Sequence, residues 1–208
     1  EVEDQEIQKH LKGQYDLLLK KLEYHLLGNH LLENAYSLFF AALHLQNDRF
    51  LDKSISLLKS ELKEQILLDG AHFELSPMYH QILLERLLDC INIGKNSPLC
   101  KEEFISELAG YASSMVSWLK EETFKNGRIP MINDSALDVA STTASLLNYA
   151  IDLGLRWGDT SFSESGYRKI INNQIELFMD VGQVGPSYQP GHAHADTFSY
   201  VLHFNGNP

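Results

Sequence analysis

From Ile7 to about Leu153, apolar residues recur at i, i+3 and i+4 in long segments, broken by short polar or glycine-containing stretches. This is the pattern of helices that each bury one face. It predicts helices over 5–27, 30–45, 48–68, 77–93, 101–122 and 136–153, with Gly28, Gly70, Gly94 and Gly127 marking stops. Six helices with short connections imply helical hairpins arranged as a bundle or an α/α toroid. After Gly154 the period changes. Ile175, Leu177, Met179 and Val181 alternate with Glu176 and Asp180, and Phe198, Tyr200, Leu202 and Phe204 share one parity, as strands do. The second strand runs into Asn205-Gly206, a strong hairpin signal, and the sequence stops at Pro208 before a partner strand. The expected organisation is a helical domain over 1–155 followed by an incomplete β-domain over 156–208. A few strands bury no sheet face alone, so the β-part is expected to lean on the helices or on chain beyond Pro208.

Composition narrows the function classes. Of the 208 residues 44% are hydrophobic, enough for a substantial core. Seventeen Lys and Arg against 28 Asp and Glu leave a formal charge of −11, which argues against a nucleic-acid partner, since phosphate neutralisation requires clustered cations. No run approaches the roughly 18 apolar residues of a membrane span, and Glu1-Val2-Glu3-Asp4 has neither region of a signal peptide. Cys90 and Cys100 lack metal-ligand spacing and are expected to be structural.

Three stretches carry candidate chemistry. In Gly28-Asn29-His30-Leu31-Leu32-Glu33, Gly28 reads as a helix stop and Asn29 as the N-cap of the next helix, while His30 and Glu33 share a face of its first turn. In Phe73-Glu74-Leu75-Ser76-Pro77-Met78-Tyr79-His80, Ser76-Pro77 starts a helix and places Tyr79 in its first turn. There the helix dipole is expected to pull the phenol down toward neutrality, unless Tyr79 simply packs under a loop. In Gly191-His192-Ala193-His194-Ala195-Asp196, extended chain would point His192, His194 and Asp196 the same way. Imidazole and carboxylate are usual zinc ligands, although His-x-His alone lacks the third and fourth.

Taken together, these stretches resemble the heparinase II/III-like polysaccharide lyases, with their alginate and oligouronide lyase relatives. The likeness runs through Gly28 to Leu45, Gln65 through His80, Asn133-Asp134-Ser135, and Gly185 through Pro208. It implies a mainly α chain, an α/α toroid followed by the first strands of an antiparallel β-sandwich, with an acidic polysaccharide bound in the cleft between them. It further implies that Asn29 and His192 bind and neutralise a uronate carboxylate. Tyr79 would protonate the leaving oxygen, and His30 or the Tyr79 phenolate would take the C5 proton, giving a 4,5-unsaturated product. Glu33, His80 and Asp134 would shape the subsite. His194 would belong to a structural zinc whose other ligands lie beyond Pro208, and the setting would be a bacterial periplasm or secretion. Local cations, or further chain, would have to offset the acidic excess at such a cleft. Two other functions fit the same residues. One is an α/α-toroid glycoside hydrolase using carboxylates such as Glu33, Glu74 or Asp134, and the other is a glycan-binding module without turnover.

Overall fold

The structure is a computed structural model that describes residues 2–208, with side chains from Gln5 onward. Among these residues, six helices precede three strands: α1 (Val2–Lys20), α2 (Gly28–Leu45), α3 (Asp48–Gln65), α4 (Pro77–Lys95), α5 (Glu102–Glu122), α6 (Thr143–Asp152), β1 (Tyr167–Ile171), β2 (Ile175–Asp180) and β3 (Tyr200–Phe204). Consecutive helices pair as α2 with α3 and α4 with α5, and α2 also packs on α4. The apolar spacing of α2 accounts for its central place, because Leu31, Leu32, Ala35, Tyr36, Leu38, Phe39 and Ala42 are all buried.

Several helix ends differ from the periodicity, and at three of them the structure shows the local reason. α1 stops at Lys20 instead of 27, because the following turn folds back on α2. There Asn34 accepts the Glu23 N–H at 2.9 Å and donates to the Glu23 carboxylate at 2.8 Å. α3 stops at Gln65 instead of 68, because Ile66 bridges to His72 and the Phe73 N–H donates to Gln65 O at 2.8 Å. α6 begins at Thr143 instead of 136, with the Thr142 hydroxyl accepting the Ser145 N–H as its cap.

The sheet is antiparallel in the order β1-β2-β3. β1, Tyr-Arg-Lys-Ile-Ile, has no alternation and is not foreseen by the pattern. One face carries Tyr167, Phe178 and Val201, and it packs with Ala71, Leu75, Trp118, Phe124 and Ile132 from the helical side. Tyr167 lies 5.0 Å from Phe178 and Trp118 lies 6.0 Å from Phe162, ring centre to ring centre. The parity of Phe198, Tyr200, Leu202 and Phe204 is real, but it marks the opposite, exposed face. Asn205 and Gly206 both have positive φ, and Phe204 bridges to Asn207, so the hairpin turn forms as expected.

The run from Gln65 to His80 joins the two parts. Asp69 Oδ2 accepts Ser163 N–H, Ser165 N–H and the Ser165 hydroxyl at 2.9, 3.0 and 2.7 Å, tying the linker ahead of β1 to the helices. Gly70 has φ +94, and a Cβ there would lie 2.2 Å from Ser114 O of α5. Only glycine lets this segment press against α5 and turn toward the next helix.

Candidate active site

The site lies where the N-termini of α2 and α4 meet the loop ahead of β3. α4 starts as expected: the Ser76 hydroxyl accepts the Tyr79 N–H at 3.3 Å with Pro77 in the first turn. The same hydroxyl donates to Asp134 O at 2.8 Å, which brings the 133–135 turn onto the start of α4. Asn133, itself at φ +53, is a junction. Its Nδ2 donates to Leu75 O and the Tyr167 hydroxyl, its Oδ1 accepts the His194 N–H, and its N–H donates to Asp196 Oδ2.

Those bonds hold the 185–196 loop over α4. The His192 ring stacks on Tyr79 with centres 3.8 Å apart at 30°. Its Nδ1 donates to Asp134 Oδ2 at 2.9 Å, and its Nε2 lies 3.2 Å from Glu74 Oε2, off hydrogen-bond direction. Glu74 is 1% exposed, and its other oxygen accepts the Asn29 N–H at 2.8 Å. Burial pushes the Glu74 carboxyl above its ordinary value, an effect partly offset by the Asn29 N–H, His192 and His30.

Gly28 is the first residue of α2 and not a stop for α1. Leu27 stands at the cap position without a side-chain bond, so the Glu74 carboxylate takes the place that Asn29 was expected to fill as cap. Gly28 has φ +53, and a Cβ on it would sit 2.3 Å from Glu74 Oε1, so no larger residue permits this approach. Asn29 is buried and its Oδ1 has no partner among the described residues, which leaves the side-chain amide available to a ligand.

The remaining expected residues distribute unevenly. His30 is exposed, with Nδ1 3.9 Å from Glu23 Oε2. Glu33 faces α4, near Arg86, Cys90 and Tyr36, and its carboxyl is raised by burial. It shares no hydrogen bond or ion pair with the Tyr79–His192 group among the described residues. His80 does not line a subsite. It is 1% exposed, its Nδ1 accepts the His72 N–H at 3.2 Å, its Nε2 donates to Met115 O at 3.0 Å, and its ring lies 4.6 Å from Trp118. Burial pushes it down to about 4, so it stays neutral as a structural brace.

Two further expectations are corrected. Tyr79 is not drawn toward the phenolate: burial first, then the Asp134 and Glu74 carboxylates, hold its phenol above the ordinary value, and no cation counters them. His192, His194 and Asp196 do not share a face, because the loop turns instead of extending. His194 is exposed and Asp196 is occupied by the Asn133 N–H at 2.5 Å. The residues present do not fit a zinc site: no three His, Cys, Asp or Glu side chains among the described residues could hold a metal.

From sequence, Glu74 stands out only as a hydrolase carboxylate, and Gln65, His72 and Asn133 carry no signal of a role of their own. Gln65 donates to Gly28 O and accepts from buried His72, backing the start of α2. The one available signal was an acid between Phe73 and Leu75 in a stretch with no other charge until Glu85 apart from histidines.

Residues 7–153 match the family described as Heparinase II/III N-terminus, and residues 155–208 match Heparinase II/III-like, C-terminal. The chain is 30% identical over 112 residues to a heparin-sulfate lyase of Pedobacter heparinus, covering 52% of this chain and 17% of that protein. A crystal structure of heparinase III superposes with a TM-score of 0.77 at 18% identity over 94% of this chain and 36% of the other. The heparan sulfate lyase of Pedobacter heparinus superposes at 0.67 and 22% identity, over 94% and 34%. The chain thus spans about a third of the solved relatives and less of the curated one. With both family descriptions matched in order along nearly its whole length, and with the same helical and antiparallel fold, this chain belongs to the heparinase II/III family.

Proposed function

We propose that the chain carries the elimination site of a lyase acting on uronic-acid-containing glycosaminoglycans, those of heparan sulfate type first among them. The observation that carries this reading is the Tyr79–His192 stack, placed between two carboxylates and beside the unpartnered Asn29 amide. A uronate C5 proton is too weakly acidic for a protein base until the neighbouring carboxylate is neutralised, because abstraction places a second negative charge beside the first. The Asn29 amide and His192 supply that stabilisation, and they stabilise the enolate-like state more than the ground state. Asp134, with its side chain 47% exposed, is the partner on His192 Nδ1 that a substrate carboxylate can displace.

The raised Tyr79 phenol assigns it the acid role, because it stays protonated through neutral pH. His30, exposed beside Glu74, then takes the C5 proton. The C5–H electrons form the C4–C5 double bond, the C4–oxygen bond breaks, and the leaving oxygen receives the Tyr79 proton. No water is consumed. Glu74 weighs against a hydrolase: sealed from solvent and committed to Asn29 and His192, it has no path to a glycosidic oxygen. A structural zinc on His194 would require ligands from other chain.

The test is the ultraviolet absorbance of the conjugated uronate while a panel of uronic-acid polymers is incubated with this chain and with the longest natural polypeptide containing it. Absorbance should rise with one polymer class and vanish in Tyr79→Phe. New reducing ends without absorbance would overturn the elimination.

A further inference from the structure

The geometry points to Glu74 as a positioning residue that clasps Asn29 and His192, from two different parts of the fold, into one carboxylate-binding pair. The inference rests on the elimination reading above. Asn29 comes from the first turn of α2 and His192 from the loop ahead of β3, and no hydrogen bond joins them directly. Each instead meets one oxygen of the same side chain: Oε1 accepts the Asn29 N–H at 2.8 Å, and Oε2 lies 3.2 Å from His192 Nε2, a close polar contact outside hydrogen-bond direction.

Three independent features serve this one carboxylate. Gly28 omits the Cβ that would strike Oε1 at 2.3 Å. Leu75, the next residue after Glu74, is held at φ +58, a left-handed conformation that a bulky residue rarely adopts. Its carbonyl is fixed there by Asn133 Nδ2 at 3.0 Å and by the Tyr167 hydroxyl of β1. Behind α2, Gln65 donates to Gly28 O at 2.8 Å, so the helix start cannot retreat from the clasp. A carboxylate that acted only as a cap would need neither the strained Leu75 nor contact with a second element.

The experiment compares Glu74→Ala with Glu74→Gln, in this chain and in the longest natural polypeptide containing it. Gln keeps an acceptor for the Asn29 N–H and a polar atom against His192, whereas Ala keeps neither. In Glu74→Ala kcat should fall about 100-fold while KM changes less than about 5-fold, because misplacement of the pair by an ångström acts on the transition state. Glu74→Gln should recover kcat to within about 10-fold of the parent. Nuclear Overhauser contacts between the Tyr79 and His192 rings, with hydrogen exchange of the Asn29 amide, read the clasp without activity: both should persist in Gln and be lost in Ala. A folded Glu74→Ala that retains kcat and the ring contacts would overturn the inference. So would a folded Glu74→Gln as impaired as Ala, since charge and not position would then be at work. Should no polymer be cleaved, the elimination reading fails, yet the ring contacts and amide exchange still decide the clasp.

Discussion

Two carboxylates facing one imidazole set what the adjoining phenol can do. Tyr79 sits in the first turn of α4, where a helix dipole favours the phenolate, but burial first, then Asp134 and Glu74, hold the phenol above its ordinary value. The balance can be read by titration. The phenolate difference spectrum of the parent minus Tyr79→Phe should show Tyr79 ionising above free tyrosine, and Asp134→Asn should bring it down, since one negative charge is removed. A Tyr79 that ionised below free tyrosine would return it to the candidate bases. The rest of this site was legible only in part. Asn29, His30, Tyr79, His192 and Asp134 stand out as polar residues at helix starts and in a glycine-rich loop. Glu74 did not, because its importance lies in contacts 45 and 118 residues away along the chain.

Within the elements, buried titratable groups connect packing to pH. His80 at the start of α4 and His72 before it are held neutral by burial, at about 4 for His80 and well below the ordinary value for His72. A depressed histidine contributes stability at and above the unfolded value of 6.5, and that stability is lost as pH falls toward the folded value. His80→Phe should therefore reduce the stability of the fold at neutral pH by about 1–3 kcal/mol for the two backbone groups left unpaired, seen as a lower melting temperature, and flatten the decline between pH 6.5 and 4. An unchanged decline would place the acid sensitivity elsewhere. Glu122 at the end of α5 runs the other way. Both its oxygens are buried without partners, and burial holds its carboxyl well above 4.5. Above 4.5 the unfolded chain loses this proton first, so stability falls as pH rises. Glu122→Met should raise the melting temperature at pH 8 and leave it nearly unchanged at pH 4; equal gains at both would contradict the assignment. Helix existence was legible from apolar spacing, whereas three helix ends were not. They are set by Asn34 on Glu23, by the Ile66–His72 bridge and by the Thr142 cap, none of which the periodicity encodes.

Across the whole molecule, the sheet carries large apolar side chains on both faces. One face packs on the helical side through Phe178 and Tyr167, and the other exposes Tyr200, Leu202 and Phe204, with Phe204 53% exposed. The alternation in β3 was therefore legible, but not which side it faced, because His203 and Val201 fill the inner positions against Phe124 and Phe178. Exposed apolar strands of this kind invite association. The isolated 208-residue chain should self-associate in ultracentrifugation, and Leu202→Lys with Phe204→Lys should suppress this without changing its helical circular dichroism. A chain that is monomeric before substitution would show that the face is tolerated in water. We propose above that the junction between helices and sheet eliminates across a uronate without using water. Mass spectrometry of glycan products formed in heavy-oxygen water distinguishes this from hydrolysis. Under elimination the products should together carry no added water, with a double bond in the new terminal uronate and no heavy oxygen. Saturated products with heavy oxygen at the new reducing end would contradict it.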